Sequence, residues 1–130
     1  RILAAQALAH PIDALRPVIG EAEILAAREA VKAVRVAADV AQYMARISAA
    51  TRTHPDLRLG VSPRGTLALA RGSQGMALLR GREFVTPDIV KAMAGAVLEH
   101  RLIVRPHAAA NGRTARDILA EVLDSLPPPV

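Results

Sequence analysis

The chain alternates between stretches where apolar residues recur every three to four positions and short breaks rich in proline and glycine. That recurrence marks one-sided helices, because positions i, i+3, i+4 and i+7 share a face at 3.6 residues per turn. Residues 1–9 read as a short helical stub that His10-Pro11 ends, since proline disfavours helical geometry in the residue before it. Residues 10–20, with Pro11, Pro17 and Gly20, read as an extended connector. The spacing predicts a first full helix over 21–34. Ile24, Leu25, Val31 and Val34 lie on one side of it, and Glu21 and Glu23 sit at its electropositive start. A second helix is predicted over 37–51, where Val40, Tyr43, Met44 and Ile47 fill the template completely. His54-Pro55-Asp56 then breaks the chain into a loop.

Ser62-Pro63 opens a third helix: serine is a good N-cap, and proline at the first helical position loses only an N–H that has no helical partner. Leu67, Leu69, Met76, Leu78 and Leu79 form its apolar side, and Gly81 stops it. Gly72 and Gly75 stand in its middle, each costing about 1 kcal/mol relative to alanine. They imply either a close helix–helix contact or a break. Thr86-Pro87-Asp88 repeats the cap-then-proline pattern and opens a fourth helix to about His100, with Ile89, Val90, Met93 and Val97 inward. Leu102-Ile103-Val104 is a short extended run, and 107–113 reads as a loop. Thr114 and Asp117 have the spacing of a capping box for a last helix. Its stripe is Ile118, Leu119, Val122, Leu123 and Leu126, and Pro127 to Pro129 end it. The fold class expected is all-α, a small helical bundle with one short extended segment.

Composition sharpens this picture. A chain of 130 residues is one domain by default, and 52% of it is apolar, but Tyr43 and Phe84 are the only aromatic residues. Such a core is built from aliphatic residues and alanine, which favours packed helices over a sandwich of strands. The absence of cysteine excludes thiol chemistry, disulfides and cysteine–zinc sites. No apolar run reaches the roughly 18 residues of a membrane span, and residues 1–9 lack the layout of a signal peptide. The chain opens on Arg1-Ile2-Leu3, which reads as the inside of a helix and suggests a piece of a longer protein. The net charge is +5, and all cations but Lys32 and Lys91 are arginine or histidine. A solvated basic surface explains this simply. A helical nucleic-acid-binding or protein-interaction domain is the alternative. The helix-turn-helix version of it is weakened by the apolar Phe84-Val85 connector and by a would-be recognition helix with Lys91 as its one cation.

Little in the chain looks like a self-sufficient active site. Residues 60–66, Gly-Val-Ser-Pro-Arg-Gly-Thr, superficially resemble a phosphate-binding loop, but the lysine is missing and Pro63 removes an N–H the cradle would use. His10, His54, His100 and His107 show no metal-ligand spacing on one helix face. Arg64 is more informative. It sits in the first turn of a helix, where the dipole is already positive, so a cation there is unfavourable by about 0.3–1 kcal/mol. A helix start together with an arginine suits an anion. Arg52, His54 and Arg58 lie just before it. The competing reading is an arginine that simply points to solvent.

Five segments together carry a family resemblance. They are Leu59-Gly-Val-Ser-Pro-Arg-Gly-Thr-Leu-Ala-Leu, the run from Ala77 through Arg-Gly-Arg-Glu-Phe-Val-Thr-Pro-Asp to Lys91, and Val97-Leu-Glu-His-Arg-Leu-Ile-Val-Arg-Pro106. The segments 10–18 and 50–55 join them. Together they resemble the C-terminal lid of MoxR-family AAA+ ATPases. The resemblance implies an all-helical lid over 21–130, reached through a connector at 1–20 from an α/β nucleotide-binding core. It implies that Arg64 is the sensor-2 arginine, which approaches the γ-phosphate of ATP, with Ser62 beside it at the nucleotide. It further implies ATP and Mg²⁺ as cofactors of the full-length protein, a ring that is commonly a hexamer, and a partner with a von Willebrand factor A domain. The setting implied is a cytoplasmic chaperone-like assembly or metal-insertion factor. The Walker A lysine, the Walker B acids, sensor 1 and an arginine finger are not found in these residues, so the fragment alone is not expected to turn over ATP. Gly65, Gly72 and Gly75 depart from the family's better helix formers and bear on the rigidity of the sensor-2 helix.

Overall fold

The computed structural model describes residues 11–129; the stub expected at 1–9 lies outside them. The expected extended connector starts instead with a 3-10 turn at Pro11–Ala14. The helices follow in the expected order, here named α1 (Glu21–Ala33), α2 (Ala38–Thr53), α3 (Pro63–Leu79), α4 (Pro87–Leu98), α5 (Pro106–Ala110) and α6 (Ala115–Ser125). Two short strands, β1 (Leu57–Leu59) and β2 (Ile103–Val104), pair antiparallel across an irregular register and join the loop before α3 to the segment after α4. The all-α reading therefore holds.

The core forms where apolar stripes meet. α2 contributes Val40, Tyr43, Met44 and Ile47, α4 contributes Ile89, Val90, Ala94 and Leu98, and α6 contributes Ile118, Leu119 and Val122. From α3, Leu69 and Ala77 complete it. α3 packs along α4 and also touches α2 and α1, and α6 closes against α2 and α4. The glycine question in α3 resolves as contact without a break, since the helix runs unbroken through both positions. A Cβ on Gly72 would come 3.2 Å from Met93 Cε and 3.3 Å from Val97 Cγ2, so this glycine lets α4 approach. Gly75 faces open space. Gly81, with φ +67°, ends the helix in the left-handed conformation that glycine adopts without strain.

Several expectations need correction. α1 buries none of its side chains, and Ile24 and Leu25 are about half exposed. Its main contact is with α3, where Gln74 Nε2 donates to the Val34 carbonyl at 2.6 Å; Val34 is buried as expected and Val31 half-buried, while Ile24 and Leu25 lack full cover among the described residues. Leu67 and Leu79, expected on the inward side of α3, are exposed because the buried face instead runs through Gly65, Leu69, Ser73 and Ala77. The 107–113 loop contains α5, which Pro106 starts and Gly112, at φ +79°, follows. The capping box of α6 is present: Asp117 N donates to Thr114 Oγ1 at 3.2 Å, and Thr114 N donates to Asp117 Oδ2 at 2.9 Å. The Thr114 hydroxyl also donates to Asp117 Oδ2 at 2.7 Å, and that bond first, with the Thr114 N–H second, holds the Asp117 carboxyl below its ordinary range.

Candidate functional site

The turn that carries Arg64 is built from small and hydroxyl-bearing residues. Ser62 caps α3, its Oγ accepting from Gly65 N at 3.4 Å and its carbonyl accepting from Gly65 N at 2.8 Å and Thr66 N at 3.2 Å. Beneath it runs a chain of buried hydroxyls. Thr66 Oγ1 donates to Ser48 Oγ at 2.7 Å, and Ser48 Oγ donates to the Met44 carbonyl at 3.1 Å. Thr51 Oγ1 donates to the Ser48 carbonyl at 2.7 Å and accepts from Val61 N at 2.9 Å. Satisfied polar groups inside a core hold one geometry, because each alternative leaves a buried donor or acceptor unpaired. The network thus pins the start of α3 to α2.

Two glycines let the backbone pack this closely. A Cβ on Gly60 would sit 2.6 Å from backbone atoms of Thr51 and Arg52, and one on Gly65 would sit 2.6 Å from Val61 Cγ1. Gly65 weakens α3 as a helix former, but it is also the residue that seats the helix on Val61, which is itself fully buried.

Arg64 projects from this braced turn and is exposed. It has no hydrogen-bond or ion-pair partner among the described residues. The backbone adds little to an anion site here. Pro63 has no N–H, and those of Gly65 and Thr66 are bonded to Ser62. The positive charge at the turn is therefore mainly the guanidinium, reinforced by the helix dipole.

The basic residues grouped with Arg64 divide. Arg52 Nη1 donates to the Val61 carbonyl at 3.2 Å and braces the loop. His54 faces away, its Nδ1 accepting from Asp56 N at 3.2 Å and its Nε2 lying 3.6 Å from Glu121 Oε1. Glu121 also accepts from Arg113, and these contacts, that of Arg113 first, hold its carboxyl below the ordinary range. Arg58 is exposed in β1. The Ser48–Thr51–Thr66 network was not anticipated from sequence. Its one local signal is the run of small hydroxyl residues on the inner face of α2.

Among the described residues no cluster of His, Asp or Glu could hold a metal ion, and no helix is long and apolar enough to cross a membrane. A cleft of about 680 Å³ lies elsewhere, lined by Ala30, Val34, Leu78 and Phe84 among others, and does not include Arg64. Its walls mix apolar side chains with Arg35, Arg82 and Glu83, and it lies at the α1 side, away from the Arg64 turn.

The family model described as the AAA lid domain matches residues 49–122. The uncharacterized protein YeaC of Bacillus subtilis is 36% identical over 129 residues, which is 99% of this chain and 40% of YeaC. Chaperone MoxR1 of Mycobacterium tuberculosis is 30% identical over 93 residues, 65% of this chain and 25% of MoxR1. Protein MoxR of Paracoccus denitrificans is 44% identical over 50 residues, 38% of this chain and 15% of its own length. The chain thus spans two-fifths or less of these relatives. A crystal structure of a candidate ATPase from Cytophaga hutchinsonii superposes with a TM-score of 0.87 at 21% identity, over 98% of this chain and 41% of that one, a likeness of fold.

Proposed function

Because the chain belongs to the AAA lid domain family and is of the MoxR type, we propose that it is the nucleotide-responsive lid of an AAA+ ATPase and that Arg64 is its sensor-2 residue. The observation that carries the reading is the unpaired Arg64 guanidinium on a turn held by Ser62, Thr51, Thr66 and Gly65. A cation fixed at a positive helix start is relieved by an anion, and a terminal phosphate is the anion an adjoining nucleotide-binding core would present. These residues fit the end of a polyphosphate and not a whole nucleotide. Mg²⁺ and the rest of ATP fall to the core, because no group here suits a metal among the described residues.

In this reading Arg64 would turn its planar fork to the γ-phosphate and oppose the charge that develops there, while Ser62, whose Oγ caps the turn, would stand beside it at the nucleotide. Closing the lid on nucleotide would carry that state to the neighbouring subunits of a ring, commonly a hexamer. Residues up to 20 would connect core to lid, and 21–130 would be the lid itself. The chaperone name of one relative supports a chaperone-like role; the cytoplasmic setting, metal insertion and a von Willebrand factor A domain partner are carried by the sequence resemblance alone. The lid alone would have no ATPase turnover.

The test is Arg64→Ala in the intact ATPase. Hydrolysis should slow by roughly 100-fold, the scale of losing one preorganised contact to developing charge. Arg64→Lys should recover only part of it, because a point charge replaces the fork. A wild-type rate in Arg64→Ala would overturn the reading.

A further inference from the structure

Arg64 is not the only cation at its turn. The Arg101 side chain crosses from the end of α4, and its Cδ lies 3.5 Å from where a Cβ on Gly65 would stand. Gly65 directly follows Arg64, and consecutive Cα atoms are about 3.8 Å apart. The Arg101 guanidinium is therefore within one side chain's reach of Arg64. Its Nε donates to the Val97 carbonyl at 3.1 Å, which fixes the plane of the group. Both Nη atoms have no partner among the described residues, and the residue is exposed.

Among the described residues neither arginine has a carboxylate partner. Glu99, two residues from Arg101, is drawn off to Arg116 at 3.3 Å. Arg52, the third cation at the turn, spends a donor on the Val61 carbonyl and has no acidic partner either. Like charges set side by side at the positive end of a helix repel one another, and neighbouring positive groups without a counter-charge favour an anion carrying several negative oxygens. An arginine whose Nε is already bonded still presents its two Nη groups, which suit phosphate oxygens.

We propose that Arg101 is a second polyphosphate contact beside Arg64, an inference that rests on the reading of Arg64 as facing bound nucleotide. Arg101 lies in the 3-10 turn Glu99–Arg101 and is held by the Val97 carbonyl of α4, so its contact is in place before and during hydrolysis. Such a contact sets affinity and leaves turnover nearly alone. Gly65 then has a second use: its bare backbone gives the Arg101 stem room to cross the turn.

The experiment compares Arg101→Gln, Arg101→Lys and Arg64→Ala in the intact ATPase. It measures KM for ATP and kcat at low and moderate salt, and thermal melting without nucleotide. Arg101→Gln should raise KM roughly tenfold, the scale of one charge-assisted hydrogen bond, with kcat within about threefold of wild type. The KM of Arg101→Gln should also respond less to salt, because one screened ionic contact is gone. Arg101→Lys keeps the stem over Gly65 and a charge, so it should fold like the wild type and fall between wild type and Arg101→Gln in KM. It carries the test if Arg101→Gln fails to fold. A wild-type KM in the folded Arg101 variants, with Arg64→Ala impaired, overturns this proposal and leaves the sensor-2 reading standing. Wild-type behaviour of Arg64→Ala overturns the reading itself. A lowered melting temperature with reduced kcat and unchanged KM makes Arg101 a structural clamp, which also overturns the proposal.

Discussion

The two ends of α3 are made differently. At the start, Gly65 is buried against Val61 and Leu98, and hydroxyls of Ser48, Thr51 and Thr66 tie the turn to α2. At the far end, Leu79 is 84% exposed, Gly75 faces open space, and the adjoining α1 buries no side chain. One end is braced around an exposed lone charge, and the other leaves apolar side chains exposed beside Arg35, Arg82 and Glu83. In the proposed reading the first end's rigidity serves chemistry, because a guanidinium meeting a phosphate would need a fixed base. The second exposes apolar side chains that the described residues leave uncovered.

The contrast breaks most visibly by truncation. Leu98→Ala removes a fully buried side chain next to Gly65 and should cost about 2–5 kcal/mol. Leu79→Ala should stay within about 0.5 kcal/mol. Denaturant unfolding of the isolated domain measures both, and equal effects would show that the two ends are alike. Next in size come the glycines, where the same substitution should have opposite signs. Gly65→Ala forces a methyl against Val61, a β-branched side chain with little rotamer freedom, and should destabilise by about 1–3 kcal/mol. Gly75→Ala meets nothing and should stabilise by about 1 kcal/mol through helix propensity. Melting curves decide it; a stabilising Gly65→Ala would mean the turn is looser than its contacts.

These contrasts mark what a sequence reader can see. Ser62 and Thr114 were legible as caps because their partners lie three residues away. The buried stripes of α2, α4 and α6 were legible because a single period runs through each. The stripe of α1 was equally periodic, but periodicity reports a face and not what covers it, so Ile24 and Leu25 read like core and are not. β2 was legible as the extended run 102–104, but β1 and the pairing were not: three residues have no measurable alternation, and the pairing joins positions 57 and 104. α5 had a usable signal in Pro106 followed by three alanines after His107. At the candidate site, Arg64 stood out by its place on the helix. The bonds that hold its turn link Ser48 to Thr66 and Thr51 to Val61, across distances along the chain that no local pattern records.

Ser62→Ala sharpens the comparison at the rigid end. It removes the side-chain bond to Gly65 N but leaves the carbonyl bonds, so it should cost about 1 kcal/mol. Ser62→Gly should cost less, since glycine is tolerated at an N-cap. A loss well beyond that in Ser62→Ala would show that the hydroxyl also supports the buried network beneath.

The smallest expected effect is the most diagnostic, because its sign separates function from stability. Arg64 stands at the positive end of α3 without an acidic partner, so removing its charge from the isolated domain should raise stability by a few tenths of a kcal/mol. The side chain is exposed and makes no bond among the described residues, so little packing is lost with it. The gain should shrink with added salt, which screens an exposed charge from the dipole. Arg64→Lys should show no gain, since it keeps the charge. Melting of the three forms at low and high salt tests this. A clear loss of stability in Arg64→Ala would make the arginine part of the scaffold. A small, salt-sensitive gain in the domain, paired with slowed hydrolysis in the intact ATPase, is the pattern of a residue kept for the anion it meets at some cost to the fold that carries it.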